Sequence, residues 1–385
     1  MKYVQAAKFF LPNTTKNGGY LEITDAGKFG RYLPESEQPV GEILDYSHSW
    51  IAPGLIDTHI HGLLGHDVMD NNAEGLNIIS EGLLQCGVTS WLPTTVTGSE
   101  LQLQNICQTI AQNITKFTGA KVAGINLEGP FLTSEHKGAQ NSKYFKDPDF
   151  HLLQKWQQAA QGLLKQITIA PERKNAVEFT MAARQSGVTV CLGHSSATFE
   201  QAQACVQAGA TTFTHTYNAM SPLNHRALGM VGAAMSLKGI NAELICDGYH
   251  VHPNAAQILI QIKNPEHVLL VTDCMSAGLM PEGEYMLGEF PVIMKNGAVR
   301  LKDSTHNLAG SVLQLNIAVK NLVDWNIATP KQALQMATAT PAKSSGLMNW
   351  AGAIFPGRAA DFIVLDTQMN LQATYLDGVQ RYQAQ

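Results

Sequence analysis

Pro53-Gly54-Leu55-Ile56-Asp57-Thr58-His59-Ile60-His61-Gly62 is the stretch on which the fold turns. An apolar segment leaves a Pro-Gly turn and ends in polar residues. In a strand, residues two apart face one way, so Asp57, His59 and His61 share a side. The same pattern recurs down the chain: a run rich in β-branched residues ends in a polar cluster and gives way to a helical stretch. The runs span 51–61, 87–94, 121–130, 166–172, 187–195, 210–218, 240–250 and 267–274, with helical stretches such as 74–86, 100–117, 175–186, 199–208 and 254–263 between them. Eight strands alternating with helices predict an α/β fold, a TIM-like (β/α)8 barrel over residues 51–345. A doubly wound open sheet ranks second, because eight strands close naturally and no glycine-rich dinucleotide loop is seen.

Outside that region the texture changes. Residues 1–50 hold short alternating segments such as Tyr20-Leu21-Glu22-Ile23-Thr24, and residues 346–385 hold Phe362-Ile363-Val364-Leu365 and Ala373-Thr374-Tyr375-Leu376. Neither end buries a β face alone, so the two are expected to pair into one small β-sandwich beside the barrel. A further hairpin is expected over 290–301, around Lys295-Asn296-Gly297.

Composition narrows the function classes. The chain of 385 residues carries a net charge of −5 and only 15% charged residues, with no Lys/Arg block to neutralise phosphates, which argues against nucleic acid as a partner. No apolar run is long enough to span a membrane and none at the N-terminus suits a signal peptide. The six cysteines form no C-x-x-C pair and read as free thiols in a reducing compartment, the cytoplasm.

The runs end in chemistry. Two imidazoles at His59 and His61 suit zinc or another borderline divalent ion, and Asp57 is placed to orient one ring. Other runs end in Glu128, His194, His215 and Asp273. A carboxylate behind apolar neighbours is costly unless a cation compensates it. Any one of these residues alone is more often a satisfied core group or a helix cap, but five such run ends together point to one or two divalent metals with a position open for water. Amide hydrolysis needs a base for the attacking water and an acid for the departing amine, and Asp273 beside a metal can be both in turn.

Read in order, Leu127-Glu128-Gly129-Pro130-Phe131, Gly193-His194-Ser195, Thr214-His215-Thr216-Tyr217-Asn218-Ala219-Met220, Asp247-Gly248-Tyr249-His250-Val251-His252-Pro253, Val271-Thr272-Asp273 and Leu308-Ala309-Gly310-Ser311 resemble the N-acetylglucosamine-6-phosphate deacetylases of the amidohydrolase superfamily. The resemblance implies that Glu128, His194 and His215 hold the principal metal and that Asp273 is the acid/base. It makes His59 and His61 a second metal position, because some of these deacetylases lack the pair. Zinc is the metal implied first, with iron, cobalt or manganese as alternatives. Asn218, Ala219, Arg226 and His250 are implied substrate residues, the last two near the phosphate. Asp247, Gly248 and Tyr249 shape the same wall, and Leu308, Ala309 and Gly310 close over the sugar. Ala139 and Gln140 fall in a substrate loop where some members carry His in place of Gln140. A homodimer is expected as well, since barrel enzymes of this kind often dimerise and substrate residues can then come from the partner chain; whether the loop with His225 and Arg226 does so is left open by the sequence.

Three functions stay open. The first is deacetylation of N-acetylglucosamine 6-phosphate. The second keeps the metal but changes the substrate, to the galacto epimer or to a cyclic amide. The third is a non-catalytic sugar-phosphate-binding homologue, disfavoured because every ligand and the base are present. His252 is read as structural, and His48, His66, His151, His225, His267 and His306 as background.

Overall fold

A computed structural model describes residues 1–384. Eight parallel strands form the barrel: β1 (Leu55–Ile60), β2 (Val88–Thr95), β3 (Ile125–Phe131), β4 (Leu164–Ile169), β5 (Thr189–Leu192), β6 (Thr212–Phe213), β7 (Asn241–Leu244) and β8 (Val268–Leu270). Each pairs in parallel with the next. The seam between β8 and β1 closes just past β8, where Asp273 N donates to His59 O at 2.9 Å and Thr272 Oγ1 to Asp57 Oδ2 at 2.6 Å. β1, β2 and β3 are buried at every position, both faces of each strand being covered.

The surrounding helices follow from apolar spacing and capping. In Glu100–Asn113 the buried Leu103, Ile106, Cys107 and Ile110 recur at helical spacing, and Ser99 caps the start by accepting from Gln102 N. Thr198 and Gln201 form a reciprocal capping box on Phe199–Gln207.

The small domain is built from both ends of the chain. Its central strand, Glu42–Pro53, pairs in parallel with Lys2–Leu11 and antiparallel with Phe362–Leu365. Val4, Phe9, Leu21, Phe29 and Ile51 share one core with Phe362, Val364 and Tyr375, and the Phe362 and Tyr375 rings stack at 4.3 Å. The first apolar run therefore divides. Its beginning finishes the small sheet at Pro53, and the barrel starts at Leu55. Gly54 sits between them, where a Cβ would lie 2.1 Å from the Thr89 hydroxyl. Lys121 joins the two parts by an ion pair to Asp361 at 2.8 Å.

After β8 the chain makes a three-stranded antiparallel sheet, Gly283–Leu287, Phe290–Lys295 and Ala298–Leu301. Asn296 and Gly297 both have positive φ (50° and 74°), as a two-residue hairpin turn requires. Its apolar face packs on Val96, Met275 and Ala309, at the C-terminal mouth of the barrel.

Candidate active site

The strands are shorter than the apolar runs: His59 and Glu128 lie within β1 and β3, whereas His61, His194, His215 and Asp273 lie just beyond the ends of β1, β5, β6 and β8. There the backbone leaves the extended region: φ is 48° at His194, 27° at His215 and 51° at Asp273. A side chain with a Cβ is strained in that region by about 1–3 kcal/mol, and such strain persists only where surrounding contacts impose it. It occurs at the three residues whose side chains meet those of β1 and β3 at the C-terminal end of the barrel.

Glu128 is the hub. Its Oε1 lies 3.0 Å from His194 Nε2, 2.9 Å from His215 Nε2 and 3.4 Å from His59 Nε2, while Oε2 lies 3.4 Å from His61 Nε2. Asp273 Oδ1 completes the ring, 3.0 Å from His61 Nε2 and 3.6 Å from His59 Nε2. Two triads, His59/His61/Glu128 and Glu128/His194/His215, each bring their ligand atoms within 4.8 Å of one another, and all five residues are buried.

The far side of every ring meets an oxygen. His59 Nδ1 faces Glu243 Oε2 at 3.1 Å, His61 Nδ1 faces Thr94 O at 3.0 Å, His194 Nδ1 faces His136 O at 2.8 Å and His215 Nδ1 faces Asn218 O at 3.2 Å. An acceptor oxygen places a proton on Nδ1 and leaves Nε2 as the ligating atom. His59 Nε2 is moreover buried with no hydrogen-bond partner. A divalent ion fits that orphaned atom and the mixed imidazole–carboxylate set around it.

Electrostatics agree with this arrangement. Burial opposes protonation of His61, but Asp273 and Glu128 outweigh it and push its pKa to about 10. Burial also works against His59, yet Glu128 and Glu243 raise it well above the ordinary imidazole range. Glu128 is held well below the usual carboxylate range by the imidazoles despite its burial. The carboxylates thus hold positive charge at the centre, and metal binding would displace the imidazole protons.

These groups open into a cavity of about 250 Å³. Ala139, Asn218, Ala219, His250, Leu308, Ala309 and Gly310 line it. Gln140 also lines it, but its amide turns toward the ligands: Nε2 donates to Glu128 Oε2, and Oε1 accepts from Thr97 N. Asp247 stands one step back, its Oδ2 2.6 Å from His250 Nδ1 and its Oδ1 accepting from Tyr249 N and His250 N. Burial counts against a charged His250, and Asp247 reverses the balance, raising the imidazole above its ordinary value. Tyr249 is half exposed and donates to Asn296 O on the hairpin, and Gly248 packs toward Trp325. Arg226 lies on the exposed turn between Asn224 and Ala227 and does not line the cavity.

Asp57 differs from expectation. It bonds no imidazole ring but accepts from His59 N and Thr272 Oγ1, bracing the seam, and burial pushes its carboxyl up to about 6. His252 caps the helix Pro253–Lys263 through Nδ1. Sequence reasoning missed Glu243, although it is a lone carboxylate inside an apolar run, the same signal that marks Glu128. It also missed the His136 carbonyl, which leaves no trace in side-chain chemistry, and the lining residues Val96, Glu135, Leu287 and Asn307.

Comparison with known proteins shows the family. The chain is 38% identical over 329 residues to an N-acetylgalactosamine-6-phosphate deacetylase of Escherichia coli O157:H7, covering 85% of this chain and 86% of the relative. It is 37% identical over 341 residues to an N-acetylglucosamine-6-phosphate deacetylase of Lysinibacillus sphaericus, covering 88% and 87%. Among solved structures, a mutant N-acetyl-D-glucosamine-6-phosphate deacetylase from Mycobacterium smegmatis in complex with N-acetyl-D-glucosamine-6-phosphate superposes with a TM-score of 0.93 at 27% identity, covering 99% of both chains. The family model described as the amidohydrolase family matches residues 50–381, a span that contains the whole barrel and every ligand above. The chain belongs to the amidohydrolase family, as a metal-dependent amide hydrolase.

Proposed function

We propose that the chain hydrolyses the acetamide of N-acetylglucosamine 6-phosphate, releasing acetate and glucosamine 6-phosphate. The observation that carries this reading is Asp273, which joins the ring of ligands 3.0 Å from His61 and lines the same cavity as His250. The two deacetylase relatives support an acetylated hexosamine phosphate as the substrate class.

The ligand set Glu128, His194 and His215, with His59 and His61, would hold one or two divalent ions, zinc first among them. Such ions lower the pKa of a water and polarise a carbonyl. Asp273 takes the proton from the attacking water as its oxygen bonds to the acetamide carbon. The same carboxyl then gives that proton to the nitrogen as the C–N bond breaks, so acetate leaves and the sugar keeps a free amine. Charge at Asp273 is favoured by the neighbouring imidazoles, which outweigh burial and lower its pKa.

His250, whose pKa is raised under Asp247, is the proposed partner of the 6-phosphate at the cavity. Arg226 is proposed as a second phosphate-binding group contributed across a homodimer, since its own turn lies outside the cavity. Gln140 is proposed to act through Glu128 rather than on the sugar. The six buried free thiols support a cytoplasmic setting, and no helix among the described residues is long and apolar enough to cross a membrane.

Acetate release from N-acetylglucosamine 6-phosphate, its galacto epimer and the unphosphorylated sugar tests the reading. The gluco phosphate is expected to react fastest. A faster galacto phosphate would move the assignment to the epimer, a second reading favoured by the relative at 38% identity. Equal rates with and without phosphate would remove His250 and Arg226 from the substrate site.

A further inference from the structure

Among the described residues Glu243 is a carboxylate with no Lys or Arg ion-pair partner. It sits in β7 between Ala242 and Leu244 and is 1% exposed. Its Oε2 faces His59 Nδ1 at 3.1 Å and accepts from His215 N at 3.2 Å, and its Oε1 lies 3.5 Å from Gln166 Nε2. A charge so deep is costly unless something it touches benefits from it. The nearest beneficiary is the His59 ring, whose other nitrogen is the orphaned buried atom turned toward Glu128 and Asp273.

The four imidazoles differ on their far sides. His61, His194 and His215 rest Nδ1 on neutral backbone carbonyls of Thr94, His136 and Asn218, whereas His59 rests its Nδ1 on an ionisable side chain. An anionic acceptor makes a stronger hydrogen bond and leaves the opposite nitrogen a better donor to a cation. We propose that Glu243 is the positioning residue of the His59/His61/Glu128 site: it fixes His59 in the Nδ1–H form, raises the ligating power of Nε2, and so sets occupancy of that position without setting that of Glu128/His194/His215. This rests on reading the cluster as two ion sites.

Zinc titration of the metal-stripped full chain, followed by calorimetry and by metal count after dialysis, separates the two sites. The wild type is expected to bind two ions in two steps. Glu243→Gln keeps an oxygen for His215 N but loses the charge, so the tighter step should stay within about threefold while the weaker one falls about 10–100-fold. Glu243→Asp keeps the charge but withdraws it, and should lie between. Equal weakening of both steps, or two unchanged steps, overturns the role of Glu243. A wild type that binds a single ion instead overturns the two-site reading beneath it. Should the variants fail to fold, long-range proton–nitrogen correlation NMR of zinc-loaded wild type decides. A protonated His59 Nδ1 is expected, and a bare one overturns the proposal.

Discussion

Asp273 and Gln140 both reach Glu128's neighbourhood, yet they answer to different measurements. Asp273→Asn removes the only proposed proton carrier while keeping its shape, so kcat should fall about 10²–10⁴-fold with metal content retained. Acetate release beside a metal count checks this, and a near-wild-type rate would remove Asp273 from the mechanism. Gln140→Leu leaves Thr97 N and one Glu128 oxygen without their partner. An unsatisfied buried polar group costs about 1–3 kcal/mol, here expressed as metal affinity weakened by roughly 5–150-fold, with KM little changed once the protein is loaded. An increase in KM at full loading would return Gln140 to the sugar. At this scale the sequence is legible where a charge interrupts an apolar run, which is how Glu128 and Asp273 stand out. It is illegible where the group is a backbone carbonyl, as at His136. Asp57 shows a third case: its period-two relation to His59 and His61 is real, but the side chain turns to the seam.

Elements were legible through burial more than through hydrogen bonding. The run over 210–218 keeps only Thr212–Phe213 as strand, because His215 and Tyr217 adopt positive φ, and apolar patterning records what is buried rather than what pairs. Helices with side-chain caps are cleaner. Thr198→Ala removes one half of a capping box and should cost about 1 kcal/mol, read as a lower urea midpoint. The helix Pro253–Lys263 offers a pH test. Lys263 is buried, its Nζ donates to Leu237 O at 2.8 Å, and loss of water lowers its pKa from 10.5 to about 8. The unfolded chain therefore binds more protons than the folded one between those values, and stability rises with pH through that window. Below pH 8 both states are protonated and the burial cost of the ammonium is felt in full. Lys263→Met should abolish this slope, so the urea midpoints of wild type and variant converge or cross as pH climbs from 7 to 10. Parallel curves would show that the Lys263 ammonium is not strained by burial.

The whole molecule depends on long-range closure. Lys121 pairs with Asp361 and Asp377 at 2.8 Å each and so ties the barrel to the small sheet. Lys121→Met leaves Asp361 buried without its cation. The expected cost is about 1–3 kcal/mol, less than for a fully buried pair because Lys121 is partly exposed, and urea unfolding measures it. The alternation of runs and helices made the barrel legible, and the matching texture of the two ends made their shared domain legible. The seam was not, since nothing in Thr272 announces that it will meet Asp57. That seam joins residues 215 positions apart, which has a consequence for synthesis. A chain leaving the ribosome carries His59 and His61 early, but the residue that shuts the barrel and the proposed proton carrier, Asp273, arrive together and late. A copy ended before Thr272 therefore lacks both the contact that closes the seam and the carboxylate proposed to carry the proton.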